Sequence, residues 1–307
     1  MELLYWFQSH RTPLLDEVMS VVTRLGEEYV FLVIAMAVFW CVDKRKGYYL
    51  LTLGFFGIMV NQWLKIACRI PRPWVKDPHF TIVESARGQA AGYSFPSGHT
   101  QAAAVAFGGV ARIAHRGWLR ILCVLCILLT AVSRLYLGVH TLWDVGVSLL
   151  IGVFAVLLLY PMIDALLWFP KRMYWYLGAM LAVNALFLTY LYLWQFPADL
   201  DMTNYASALK NAYSMLGSVL GLIVVYRLDN RLLHFSTQAS PMGQICKLAG
   251  GFLLVLAVKT LLKEPLLSLC DGLPVAHSLR YFLVVLTAGS LWPATFRLYS
   301  HTRSVDC

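Results

Sequence analysis

The chain has 307 residues, of which 59% are hydrophobic and 13% charged, with a formal net charge of +9 and a mean hydropathy of +0.66. Soluble domains carry about a quarter charged residues and are roughly half apolar, so these figures exclude a disordered chain, a nucleic-acid-binding tail protein and an ordinary soluble enzyme. The apolar residues fall in long blocks, the pattern of a polytopic membrane protein. No nucleic-acid partner is implied, because Lys and Arg in cytoplasmic loops beside anionic lipid account for the positive charge.

In chain order, residues 1–27 come first. They bear Glu2, Asp16, Glu17 and Glu27 against Arg11 and Arg24. Leu14, Leu15, Val18, Val21, Val22 and Leu25 fall near one helical face, which predicts an interfacial surface helix. The first residues carry acid rather than the basic start of a cleavable signal peptide. Nine apolar blocks follow, near residues 28–42, 48–68, 98–114, 118–137, 142–163, 174–196, 205–226, 244–262 and 279–296. Each is expected to be a helix, because an open strand edge cannot be satisfied in lipid. The expected fold class is all-α: a polytopic transmembrane helix bundle of about nine spans.

The loop charges orient the bundle. Lys44, Arg45 and Lys46 lie between the first two blocks, and Arg112, Arg116 and Arg120 between the third and fourth. Lys171 and Arg172 lie between the fifth and sixth, Arg227 and Arg231 between the seventh and eighth, and Arg297 and Arg303 at the end. These are alternate connections, so the positive-inside rule places them, and the C-terminus, in the cytoplasm. The N-terminus then faces out. Three segments are expected: an extracytoplasmic, interfacial stretch over 1–27, a core over 28–170, and additional transmembrane helices over 171–307.

The seven cysteines show no disulfide spacing. Cys123 and Cys126 form a C-x-x-C inside an apolar block with no second ligand pair, and are expected to be packing residues. The outward connection 69–97 is long and holds Pro71, Pro73, Pro78 and Pro96. Loops of that length are functional or disordered.

Three clusters carry chemistry. The first runs from Lys65 to Arg72-Pro73, a K-x6-R-P; the second is Pro96-Ser97-Gly98-His99; the third is Ser133-Arg134, then His140, then Asp144. All fall at the outward membrane surface. Lys65, Arg72 and Arg134 put three cations where an anion would sit, Arg suiting bidentate contact with phosphate oxygens and Lys a point charge. Ser97 and Gly98 open a helix whose free N–H groups favour an anion, and Gly98 admits close backbone approach. His140 and Asp144 are four apart and share a helix face. The carboxylate can accept one imidazole N–H and leave the other nitrogen free to attack. His99 is available as general acid for the leaving oxygen. The sum is a phosphoryl-transfer site with a histidine nucleophile and fixed cations. No metal or other cofactor is called for, since the cations already fill the electrostatic role and no carboxylate cluster offers to hold Mg²⁺.

These clusters resemble the type 2 phosphatidic acid phosphatase superfamily, whose pattern is K-x6-R-P, then P-S-G-H, then S-R-x5-H-x3-D; every position is present, over roughly residues 28–163. The resemblance implies a phosphohistidine intermediate on His140, Asp144 as its partner and His99 as acid. It implies phosphate binding by Lys65, Arg72, Ser97, Gly98 and Arg134, without a metal.

Taken singly, these residues also fit structural roles: Lys65 and Arg72 as snorkelling anchors, Ser97 as a helix cap, and Arg134, His140 and Asp144 as a paired network. His10, His79, His115, His234, His277 and His301 have no partners at useful spacing. Trp63, Trp74, Trp143 and Trp292 suit an interfacial belt. Glu84, Arg87 and Tyr93 fit either a gate or a plain solvated loop.

A site at headgroup depth favours a lipid phosphate or pyrophosphate as substrate, with membrane lipids as surroundings: phosphatidate, phosphatidylglycerophosphate, polyprenyl pyrophosphate or a sphingoid-base phosphate. The nine-span layout resembles the glucose-6-phosphatase branch and the longer sphingoid-base phosphate phosphatases, which keeps a sugar phosphate open. Transport by the last four spans is a further alternative, with Lys259, Lys263 and Glu264 near one helix end. Small, Leu-rich loops suggest a bacterial cytoplasmic membrane. The oligomeric state is left open.

Overall fold

The computed structural model describes residues 1–90, 92–197 and 200–298. His301, Arg303 and Cys307 lie outside the described residues. Among these residues fourteen α-helices run in chain order: α1 Glu2–Ser9, α2 Pro13–Val22, α3 Glu28–Ala37, α4 Lys44–Cys68, α5 Pro73–Lys76, α6 Gly98–Ile113 and α7 Gly117–Tyr136, then α8 Leu142–Leu167, α9 Pro170–Leu193, α10 Met202–Leu228, α11 Pro241–Leu261, α12 Lys263–Leu269, α13 Val275–Leu286 and α14 Trp292–Ala294. No strand occurs among the described residues.

The protein is a multi-pass integral membrane protein of the all-α class. All nine apolar blocks are helical. Among the described residues, seven helical segments are long and apolar enough to cross a membrane, and an eighth is added if Pro13–Gly26 and Glu28–Val42, bent by 48° to each other, are one span. The block at 98–114 forms the 16-residue α6. Its short length has a physical reason: Ala103, Ala104, Val105 and Ala106 are almost wholly buried, so α6 is sheathed by protein and needs neither lipid-matching length nor strong hydropathy.

Two compact units divide the chain. The first comprises Met1–Ile34, Tyr49–Ile163 and Gln195–Ala208; the second comprises Ala35–Tyr48, Asp164–Trp194 and Leu209–Cys307. In the first, α6 packs against α7 and against a 3-10 turn over Thr23–Gly26, and α1 and α2 rest on α7. Small residues allow the close crossings. A Cβ on Gly152 of α8 would collide with Ala104 of α6, and one on Gly109 would overlap Leu50 of α4.

The N-terminal stretch folds as two helices. Thr12 caps α2 by accepting the Leu15 N–H at 3.3 Å, and Pro13 supplies the preset first position. Leu14, Leu15, Val18 and Val21 face outward from α2. Arg11 and Asp16 tie the stretch to α7, through the Tyr136 carbonyl at 3.1 Å and the Tyr136 hydroxyl at 2.7 Å.

The described residues of the 69–97 connection pack against the rest of the first unit. Phe80, Ile82, Val83, Ala86 and Ala90 bury into one cluster with Leu135, Tyr136, Leu137 and Val139. Glu84 and Arg87 lie on its surface and pair with each other at 2.7 Å.

In the second unit, α11 packs on α13. Buried Lys247 donates to the carbonyls of Ser236 (3.0 Å) and Gln238 (3.2 Å). Trp292 donates to the Lys247 carbonyl at 2.9 Å and packs on Gly251. Cys123 and Cys126 of α7 are free thiols.

Candidate active site

The three clusters come together within the first unit. Lys65 stands on the last turn of α4, Arg72 immediately before α5, and Ser97 at the cap of α6. Arg134 stands on the last turn of α7 and Asp144 in the first turn of α8. His140 lies in the turn between them. Gly138 makes that turn possible: its φ is +78°, and a Cβ there would meet Arg11 and Phe80.

Asp144 is held from several sides. Thr141 and Asp144 cap α8 reciprocally, the Thr141 N–H donating to Asp144 Oδ2 at 2.7 Å and the Asp144 N–H to Thr141 Oγ1 at 3.3 Å. This is a capping box with Asp in the place of Glu. The Ser94 hydroxyl donates to the same Oδ2. The Ser97 N–H donates to the Asp144 carbonyl at 3.2 Å, linking the start of α6 to the start of α8.

His140 is 1% exposed. Its Nδ1 lies 3.6 Å from Asp144 Oδ2, beyond hydrogen-bond length, and its Nε2 lies 2.9 Å from Arg72 Nη1. A guanidinium only donates, so Nε2 is the acceptor and the ring proton rests on Nδ1, facing the carboxylate. The nitrogen with the free pair is thus the one turned to the cation. Burial pushes the His140 pKa well below its ordinary value, and the charges of Arg72, Arg134, Lys65 and His99 push it the same way. A neutral imidazole is the form a nucleophile requires.

The cations are fixed before any ligand arrives. Arg72 is buried and also donates to the carbonyls of Gly92 and Val139, each at 2.8 Å. Lys65 donates to the Tyr93 carbonyl at 2.7 Å. Arg134 is fully buried and donates through Nη1 to the Thr23 hydroxyl at 2.8 Å, while its Nε and Nη2 have no hydrogen-bond partner. His99 Nε2 is buried and unpartnered too. Burying unpaired charge-bearing donors is costly, and a multivalent anion would satisfy them together.

Ser97 caps α6: its hydroxyl accepts the Thr100 N–H at 3.4 Å. Gly98 leaves space, since a Cβ there would meet nothing nearer than Asn61 at 3.8 Å.

Some contributors had little or no sequence signal. Ser94, Thr23 and the carbonyls of Gly92 and Tyr93 belong to no motif. Thr141 did have one, because T-x-x-D before an apolar run is a capping box. A cavity of about 560 Å³ opens beside the site, lined by Arg69, Arg72, Tyr93, Pro197 and Leu200 among others.

The model of the PAP2 superfamily matches residues 45–168, which include every position from Lys65 to Asp144. Over 161 residues the chain is 30% identical to undecaprenyl-diphosphatase BcrC of Bacillus subtilis, covering 52% of this chain and 80% of that protein. The chain belongs to the PAP2 superfamily. It is a membrane phosphatase of that superfamily, and a second family model, the transmembrane extension of PAP2 superfamily phosphatases, matches residues 213–303. This PAP2 phosphatase is also 26% identical to rat sphingosine-1-phosphate phosphatase 1 over 277 residues, 84% of this chain and 62% of that one. Two solved structures are similar at 24% identity. A phosphatidylglycerolphosphate phosphatase of Bacillus subtilis has a TM-score of 0.45 over 53% of this chain and 84% of its own. LpxE of Aquifex aeolicus has a TM-score of 0.46 over 52% and 92%.

Proposed function

We propose that this PAP2 phosphatase hydrolyses a lipid phosphate monoester or pyrophosphate at the outer membrane surface, without a metal, through a phosphohistidine on His140. The observation that carries this is the buried Arg134 with two unpartnered donors, beside an imidazole whose free nitrogen faces Arg72. In the first step His140 Nε2 attacks phosphorus and the bond to the leaving oxygen breaks. His99 gives that oxygen a proton. Asp144 stabilises the charge that appears on the imidazole ring. In the second step water attacks the phosphohistidine, His99 takes the water proton, and inorganic phosphate leaves. Lys65, Arg72, Arg134, Ser97 and Gly98 hold the equatorial oxygens, where charge builds in the transition state.

A lipid substrate is supported by the depth of the site in a membrane protein and by the two relatives, whose names state an undecaprenyl diphosphate and a sphingosine phosphate as substrates. The positive loops support a cytoplasmic C-terminus and an extracytoplasmic site in a bacterial cytoplasmic membrane. In this reading 28–170 is the phosphatase core, and 171–307 supplies additional transmembrane helices.

The test is phosphate release by purified protein in detergent, from a panel of lipid phosphates and from glucose 6-phosphate, with and without EDTA. Release from a lipid, unchanged by EDTA and reduced by about 10³-fold or more in His140→Ala, is expected. Release from the sugar alone would overturn the lipid assignment. Loss with EDTA and rescue by Mg²⁺ would overturn the metal-free mechanism.

A further inference from the structure

Arg69 is one of the unspecified positions inside the first cluster, to which the pattern gives no role, yet it lines the same cavity as Arg72. Arg72 in turn touches the His140 nitrogen at 2.9 Å. The cavity therefore begins one guanidinium away from the nucleophile. Arg69 Nη1 is buried and has no hydrogen-bond partner. It is held there at a conformational cost. The residue follows the last turn of α4 with φ +49°, and its N–H donates to the Lys65 carbonyl at 3.0 Å. That is the left-handed position after a helix, where glycine is preferred and a side chain is strained. A half-buried arginine with one buried, unpartnered nitrogen, on a strained residue beside a candidate phosphate site, is the arrangement expected of a ligand contact.

We infer that Arg69 and this cavity take the second phosphate of a diphosphate substrate. This rests on the phosphatase function proposed above and deepens it: the substrate class is a lipid diphosphate. The terminal phosphorus lies against His140 and its bridging P–O bond breaks. The remaining phosphate, still on the lipid, stays with Arg69 as part of the leaving group. A diphosphate brings one more anionic group than a lipid with a single phosphate, and that second group, bonded directly to the first, would satisfy Arg69 while the first satisfies Arg134.

Farnesyl diphosphate and farnesyl monophosphate make a matched pair, with one tail and one phosphate of difference. Phosphate release from each is measured as kcat/KM for the wild type, Arg69→Gln and Arg69→Gly, with His140→Ala as the blank. The diphosphate-to-monophosphate ratio is expected to fall about ten- to hundredfold in both Arg69 variants, the loss of hydrogen bonds from one charged donor. Arg69→Gly relieves the backbone, so its melting temperature is expected at or above that of the wild type, and a fall in ratio there is not misfolding. An equal loss on both substrates, or no loss on either, would overturn the inference and leave the phosphatase function standing. Wild-type silence on both substrates would overturn both.

Discussion

In the proposed mechanism His140 concentrates the chemistry in one residue, and its surroundings decide its protonation. The imidazole is buried, and every nearby cation opposes a further positive charge. The folded pKa is thus depressed below the unfolded value of about 6.5. Below that pH the unfolded chain binds a proton that the folded chain refuses, so stability is full above about 6.5 and declines as pH falls. Thermal melts in detergent should lose stability between about pH 7 and 5, and His140→Gln should lose less over the same interval. The slope of that one group is at most about 1.4 kcal/mol per pH unit. Equal slopes would mean that His140 titrates normally. A second residue, Thr23, acts through Arg134. Its hydroxyl is the guanidinium's hydrogen-bond partner through Nη1 at 2.8 Å. Thr23→Val keeps the shape and removes the acceptor, and kcat/KM is expected to fall about tenfold. A variant with wild-type kcat/KM would mean that Arg134 is positioned without it.

At the scale of elements, the site depends on how closely three helices approach. α6 presents small residues on its buried side, and Gly152 of α8 sits where a Cβ would collide with Ala104. Gly152→Leu should cost about 1–3 kcal/mol or prevent folding, as overpacking does in a filled core. Melting temperature and detergent solubility measure this. An unchanged melting temperature would show that the crossing is looser. The helix ends matter as much as the helices. The α8 cap fixes Asp144, the Gly138 turn delivers His140, and the α6 cap uses Ser97. The four-residue spacing of His140 and Asp144 and the helix start at Ser97 were legible in the sequence, whereas the Gly138 turn and the Thr141 cap emerged only with the structure. The arrangement of residues 1–27 was legible only in part. An amphipathic stretch was expected, and α2 does turn Leu14 and Val18 outward. Its polar residues gave no hint that Thr23 would be buried against Arg134, 111 positions along the chain.

At the scale of the whole molecule, topology places the chemistry relative to the membrane. In the proposed orientation, drawn from the alternate positive loops, the Lys65, Ser97 and His140 ends of their helices face outward. A water-soluble short-chain phosphatidate added to sealed right-side-out vesicles should then be hydrolysed at the rate seen after permeabilisation. Activity that emerges only on permeabilisation would reverse the orientation.

By itself the sequence determined the class of the molecule and named the residues of a candidate site. Long apolar blocks leave no alternative to helices in lipid, and eight residues at fixed spacing name a phosphate chemistry. These are short-range facts, set by composition and by a few residues along one helix or turn. Tertiary structure alone decided which donors are left unpaired. Arg134 lacks partners for two nitrogens, Arg69 for one, and His140 stands 3.6 Å from Asp144 while touching Arg72. It also decided that α6 could be short, because neighbours replace lipid around it. Partnership and burial are properties of three-dimensional packing between segments far apart in the chain, and no local pattern encodes them.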